Sequence, residues 1–252
     1  KRIKKNTNTI GQLDKVLFKK GAGILNGDIN KYSRYEPIIN KEIILNSEIS
    51  PYYSIKKEPK VISAESSHLK SGKIEGLYVG NQILFKEQAK NWTDLTISYC
   101  EKGYVFKKGI FGISTNLNFE ALKYLYSLLI SDLYTYYIYS ISGGWGIATH
   151  PQVKWKEEYL SFPIIEADGS LNREMVELVN NFITPFKEYY DESIRSESLP
   201  IDYKILNKIN EIVNNLYSIK GYEKDLINYV LEVSRYQFQE SKQQNFLRKV
   251  DG

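Results

Sequence analysis

Asn118-Phe119-Glu120-Ala121-Leu122-Lys123-Tyr124-Leu125-Tyr126-Ser127-Leu128-Leu129 is the stretch at which the chain changes its periodicity. From here Phe119, Leu122, Leu125, Leu129, Leu133 and Tyr136 recur at three- and four-residue spacing, as one face of a helix with about 3.6 residues per turn requires. Asn118 is of the residue type that caps a helix start, so one helix is predicted from there to about Ile141. Upstream the apolar runs are short and of β type: Lys15–Phe18, Glu42–Leu45, Gly76–Val79, Gln82–Phe85, Leu95–Tyr99 and Gly103–Phe106. Gly21, Gly23, Gly27, Pro37, Pro51, Pro59 and Gly72 punctuate them. Strands in one half and helices in the other predict an α+β fold.

Downstream, the Gly-rich break Ser142-Gly143-Gly144-Trp145-Gly146 precedes an expected strand over Tyr159–Ile165, where Pro163 suits an edge or a strand end. A second helix is predicted near Asn172–Arg195 with Met175, Leu178, Val179, Phe182, Ile183, Phe186 and Tyr190 on one face and a kink at Pro185. Asp202–Tyr217 and Tyr222–Phe238 read as a helical pair, with Gly221 supplying the turn between them. The organisation expected is thus a β-rich domain over 1–165 and a helical section over 166–252. Asn46–Ser71, the longest stretch without clear periodicity, reads as a long loop, functional or mobile.

With 42% hydrophobic and 25% charged residues, the 252-residue chain can bury a substantial core. Cys100 is the only cysteine, so no intrachain disulfide can form, and a reducing, cytoplasmic setting is expected. One cysteine and two histidines, His68 and His150, do not make a conventional zinc site. Lys123, Ser127, Ser131, Asp132 and Thr135 interrupt the apolar run Leu122–Ile141, so no membrane span is expected. Charge is distributed unevenly. Up to Leu117 the chain holds 20 Lys and Arg against 11 Asp and Glu, a charge of +9; the remainder holds 14 against 19, a charge of −5. A basic first half suits a polyphosphate, and also an acidic protein surface.

Several chemistries find no support. Gly21-Ala22-Gly23 follows an apolar run, but Asn26 stands where a dinucleotide-binding loop has its third glycine, and no helical period follows. Asp28 with Glu58-Pro59-Lys60 formally matches a metal-dependent nuclease, yet Pro59 argues against a paired strand. Neither histidine lies in a nucleophile motif with Cys100 or a serine, and Cys100 reads as a small buried hydrophobe. The helical tyrosines Tyr134, Tyr136, Tyr137 and Tyr139 read as rings buried at the core's margin rather than as a stacking platform.

The remaining signal is the interleaving of basic, amide and aromatic residues. Lys19, Lys20, Asn26, Asn30, Lys31, Tyr32, Arg34 and Tyr35 lie in or beside the first Gly-rich loop; Ser66, Ser67, His68, Lys70 and Lys73 lie in the long loop; Lys90, Asn91 and Trp92 follow a strand. Lys and Arg neutralise phosphates, Asn, Ser and Arg can pair with base edges, and aromatic rings can stack on exposed bases, so the set is a candidate for contacting double-stranded DNA.

Four stretches resemble the region that follows the catalytic domain in adenine-specific DNA methyltransferases, especially the fused type IIG restriction-modification enzymes, and more distantly the specificity subunits of type I systems. They are Phe18–Asp28, Gln82–Gln88, the block from Phe106–Ile113 through Leu122–Leu129 to Ser161–Ile164, and Ile209–Tyr217 with Tyr222–Ile227. The resemblance implies a target-recognition role and a catalytic domain elsewhere in a longer chain as partner. The Asn/Asp-Pro-Pro-Tyr/Phe motif and the Gly-rich cofactor loop of that family do not occur here, so this segment is expected to be no enzyme and to bind no cofactor by itself, S-adenosylmethionine belonging to the missing domain. The alternatives are a type I specificity subunit, with the 172–195 helix as spacer, and a basic scaffold that binds an acidic protein.

Overall fold

The computed structural model describes residues 8–55, 60–88, 95–142, 152–191 and 200–233. The strands are β1 (Asn8–Thr9), β2 (Lys19–Ala22), β3 (Leu25–Asn26), β4 (Glu42–Ile44), β5 (Tyr52–Tyr53), β6 (Lys60–Val61), β7 (Leu69–Ser71), β8 (Asn81–Lys86), β9 (Ile97–Cys100), β10 (Val105–Phe106), β11 (Ile110–Thr115) and β12 (Pro163–Ile164). The helices are α1 (Phe119–Leu129), α2 (Asp132–Ile141), α3 (Gly169–Asp191) and α4 (Tyr203–Leu216), and residues 221–233 are also helical. The fold is α+β. Its frame is a five-stranded sheet in the order β2-β11-β8-β9-β5, antiparallel except where β5 runs parallel to β9. Three smaller sheets, β10-β4-β6, β3-β7 and β1-β12, surround it.

Strand alternation sends neighbouring residues of this sheet to opposite faces, and both faces are covered. On one face the row Ile113, Ile83, Tyr99 and Tyr53 runs across paired positions and packs with Phe85, Ile97 and the helices into one core. On the other, the row Gly21, Gly112, Leu84 and Ser98 faces a second core built with Ile24, Ile44, Leu77, Tyr104 and Phe106. The glycines of that row are needed for close approach. A Cβ on Gly112 would lie 2.4 Å from Cζ of Phe106, and one on Gly21 would lie 2.0 Å from Cδ1 of Ile74. Gly21 is therefore a strand residue beneath an irregular lobe, which accounts for the glycine without any phosphate loop.

The predicted single helix over 118–141 is two. Asn118 caps α1 as expected, accepting from Ala121 N at 2.9 Å. Ser131 then starts α2 by accepting from Tyr134 N at 3.2 Å, with Asp132 in its first turn. The strand expected over 159–165 shrinks to β12, an edge partner of β1, because Tyr159–Ser161 coils into a short 3-10 turn. Val16 and Leu17 are exposed in a turn organised by Asp14, whose Oδ1 accepts from Val16 N at 2.6 Å, so the strand begins at Lys19. Residues 76–79 also form a turn, while the described residues of 46–71 carry short strands and 3-10 turns. α3 starts at Gly169, its N–H groups capped by Asp168, and continues through Pro185. The carbonyl left without a partner there belongs to exposed Asn181, where water can serve it. After α4 the left-handed residue is Ser218, with φ 53°, and Gly221 instead opens the following helix.

The helices after residue 165 share the first core: Met175, Val179, Phe182 and Phe186 of α3 and Leu206, Ile209 and Val213 of α4 belong to it. Buried tyrosine hydroxyls join these layers by donating to main-chain carbonyls of neighbouring elements. Tyr124 donates to Ile165 O at 2.6 Å, Tyr159 to Lys86 O at 2.8 Å, Tyr217 to Pro163 O at 2.7 Å, and Tyr126 to Tyr52 O. Asp132 and Asn210 make a reciprocal pair that docks α4 on α2, at 2.9 and 2.7 Å. Among the described residues no helix is long and apolar enough to cross a membrane.

Lys19 and Lys20, adjacent in sequence, are separated by the same alternation. Lys20 stands opposite Ile113 on the helix-covered face, where its ammonium donates to the carbonyls of Ile10, Gly11 and Leu13 at 3.1, 3.0 and 2.9 Å. Burial, with nearby Lys15, holds its pKa below the ordinary lysine value. Lys20 is thus accounted for as an internal tie. Lys20→Met keeps the apolar stem but strands three carbonyls, and is expected to lower the unfolding free energy by about 1.5–3 kcal/mol in urea denaturation with an unchanged slope.

Burial raises the buried tyrosines, Tyr124 to about 12 and Tyr126, Tyr134, Tyr159 and Tyr217 also above the ordinary 10.0. Because the folded values exceed the unfolded one, the stability held by these neutral hydroxyls is complete below about pH 10 and is lost as pH rises beyond it. Tyrosinate absorbance is expected to grow in two phases during alkaline titration, the second coinciding with loss of helical circular dichroism. A single phase near pH 10 with the fold retained would contradict this burial.

Candidate nucleic-acid interface

β3 and β7 pair antiparallel, Leu25 with Ser71 and Asn26 with Leu69, with a register shift between Leu25 and Asn26. This short ladder brings residues 26–35 against 66–73. Asn26 Nδ2 donates to Ser66 O at 2.6 Å, Gly27 N to His68 O at 2.9 Å, and Tyr35 N to Ser67 O at 2.9 Å. Lys73 Nζ reaches Ser33 O at 3.1 Å and Ser33 Oγ at 2.8 Å. Asp28 shapes the turn between, its Oδ1 accepting from Asn30 N at 2.8 Å and its main-chain oxygen from Lys31 N and Tyr32 N at 3.0 Å.

Six of the residues selected from the sequence, Asn26, Tyr32, Arg34, Ser67, His68 and Lys73, therefore meet in one hydrogen-bonded cluster. Asn30 and Lys31 stand exposed on the same turn, and Lys70 is exposed on β7. Within the cluster the roles differ. Ser67 is fully buried and donates to Ala64 O at 2.6 Å, so it shapes the loop from inside. Lys19 lies apart on β2, its ammonium on Lys15 O at 2.8 Å, and Lys20 is the internal tie already described. Asn91 and Trp92, with Lys90, lie outside the described residues, as do His150, Glu58 and Pro59.

His68 links the two segments through both ring nitrogens. Its Nδ1 lies 2.6 Å from Tyr32 O, a carbonyl that can only accept, so Nδ1 carries the proton. Nε2 is then the acceptor for Arg34 Nε at 3.3 Å. Arg34 and His68 also form an isolated antiparallel bridge.

Lys107 and Lys108 do not stand out in the sequence, yet the fold delivers them to the same region. Ile24, immediately before β3, bridges Lys107, and Lys108 N donates to Ile24 O at 2.9 Å, leaving two exposed lysine side chains beside the β3 start. Their adjacency in sequence is a weak cue; only the pairing of β10 with β4 and of its end with Ile24 places them. Exposed Asp28 lies within these segments and exposed Glu36, Glu65 and Glu75 flank them, so the region is mixed in sign rather than uniformly basic.

Cys100 is completely buried, and burial pushes its thiol up, away from a reactive thiolate. Among the described residues no group of three or more His, Cys, Asp or Glu is placed to hold a metal ion.

No protein-family model matches the chain and no curated protein matches it by sequence. Solved structures do resemble it. A structure of the type IIL restriction-modification enzyme MmeI in complex with DNA superposes with a TM-score of 0.55 at 12% identity, over 94% of this chain and 36% of that one. A structure from the type I restriction-modification system aligns over 84% of this chain and 45% of the other at 8% identity, with a TM-score of 0.42. The chain thus spans about a third of the length of the MmeI chain, and it shares the fold of that part of a restriction-modification enzyme.

Proposed function

We propose that this chain is the sequence-specific DNA-recognition region of an adenine-specific DNA methyltransferase, alone or fused to a restriction enzyme, and that it performs no chemistry by itself. The observation that carries the reading is the β3–β7 ladder, which collects Asn26, Asn30, Lys31, Arg34, Lys70 and Lys73 from two distant segments onto one supported set of loops. The outward-facing members of this set, Asn30, Lys31, Arg34 and Lys70, supply the two kinds of contact a duplex requires. Exposed lysines meet phosphates and fix register, while amides and the guanidinium meet base edges. The fold shared with part of an enzyme solved on DNA supports the same reading.

In this mechanism the catalytic domain of the longer protein holds S-adenosylmethionine and receives the adenine, flipped out of the stack once the loops have located the sequence. Because Asp28, Glu36, Glu65 and Glu75 dilute the local field, phosphate neutralisation is confined to a few lysines and base contacts carry the selectivity. The tail helices pack on the first core, on the face of the sheet away from the loops.

Electrophoretic mobility shift across a salt series tests the reading. Affinity is expected to fall linearly in log-log form, and replacing Lys31 and Lys70 together by Ala should make the slope shallower by about 0.9 for each phosphate that is no longer neutralised. Affinity indifferent to salt, to duplex and to both substitutions would remove DNA as the partner.

A further inference from the structure

We infer that Arg34, aimed by His68, reads a guanine in the duplex; this deepens the DNA-recognition reading and rests on it. Arginine side chains on a loop ordinarily sample many rotamers, and their use as base readers requires that this freedom be removed beforehand. Here it is removed from both sides. The backbone around Arg34 is fixed by the bridge to His68, by Tyr35 N on Ser67 O at 2.9 Å and by Lys73 Nζ on Ser33 O at 3.1 Å. The side chain is then fixed by its Nε, which donates to His68 Nε2 at 3.3 Å, while Nδ1 of the same ring is committed to Tyr32 O at 2.6 Å. His68 is a positioning residue in this arrangement.

What remains open identifies the ligand. The Nε edge of the guanidinium is occupied, so the two terminal nitrogens form the available donor pair. Arg34 is exposed, and among the described residues no carboxylate forms an ion pair with it. A fixed pair of parallel donors matches the N7 and O6 acceptors that guanine alone presents side by side in the major groove; adenine offers a donor where O6 would be. A phosphate could also accept from such a pair, but exposed Glu36 and Glu65, which flank the two segments, disfavour a phosphate there. Nor does a phosphate contact require the aim that His68 provides.

The test is selection of bound sites from a randomised duplex pool, followed by affinity measurements on the selected sequence. One position is expected to require guanine with the wild-type chain, and Arg34→Ala should abolish that requirement alone, a loss of about 10- to 100-fold against the other bases there. Preferences elsewhere and the salt slope should persist. Arg34→Lys retains the charge but not the paired donors, and should lose the guanine preference while keeping most of the non-specific affinity. Replacing that guanine by 7-deazaguanine should weaken the wild-type chain and leave Arg34→Ala unaffected. His68→Ala should reduce the preference at the same position, and His68→Gln, with a carbonyl able to accept from Nε, should restore part of it. Arg34→Ala that keeps every preference, or that weakens all sequences alike with a slope shallower by about 0.9, would overturn the inference while leaving DNA binding intact. Failure of the wild-type chain to bind any duplex would overturn the DNA-recognition reading as well.

Discussion

Burial of one five-stranded sheet on both faces is the constraint on which the rest of this molecule depends. Sheets covered on one side expose an alternating polar row, whereas the central strands here do not: Gln82, Ile83, Leu84 and Phe85 of β8 are all buried, as are Ile97 through Cys100 of β9. Ile83 and Phe85 face the helices, and Leu84 faces the irregular lobe. The helices thus stabilise the sheet from one side while the lobe that carries the candidate interface is fastened to the other. Loss of either cover would expose a continuous apolar surface, so the loops and the helical tail are coupled through the sheet between them.

A lobe with so little regular structure has to satisfy its main chain by other means, since buried unpaired amides and carbonyls are costly. Side chains take that role. Gln82, fully buried in the central strand, donates to Leu77 O and Tyr104 O at 2.9 and 3.0 Å and accepts from Tyr104 N at 2.9 Å, acting as an inserted peptide group between two turns. Tyr78 donates to Gly72 O at 2.7 Å, and Lys41 donates to Tyr78 O at 2.9 Å. Such bonds make the loops specific in shape without making them strands, and a loop fixed in this way can present side chains in a constant geometry.

Most of the helical half was legible because amphipathic periodicity survives long segments: Asn118 as a cap, the core face of α3 and the presence of α4 follow from the local pattern. The break at Ser131 was hidden because the apolar period runs on across it, and only the hydroxyl's bond to Tyr134 N shows a new start. Short strands were less legible for a physical reason. A run of two to four residues has too few alternations to fix its phase, so Val16 and Leu17 suggested a strand where Asp14 makes a turn. The same limit affected the site. Lys19 and Lys20 look equivalent as letters, but alternation sends one toward the lobe and the other beneath the helices. Conversely Lys107 and Lys108 join the region through contacts with Ile24, far away in sequence, which no local pattern encodes.

The mixed sign of the loop cluster bears directly on how it could discriminate. A surface dense in lysine binds any polyanion, because counterion release depends on the number of phosphates neutralised and not on sequence. Placing Asp28, Glu36, Glu65 and Glu75 among Lys31, Arg34, Lys70 and Lys73 lowers that indiscriminate contribution. It also penalises any pose in which a phosphate lies against a carboxylate, so wrong registers are weakened more than the right one. Selectivity then falls to donors and acceptors whose positions are set before the ligand arrives. Asn26 and Lys73 commit their own donors to Ser66 and Ser33, and His68 commits both nitrogens to Tyr32 and Arg34. The loops therefore hold themselves in shape with some polar groups and leave others, Asn30, Lys31, Lys70 and the terminal nitrogens of Arg34, facing outward. That division of labour is the physical difference between a surface that adheres to nucleic acid and one that can read it.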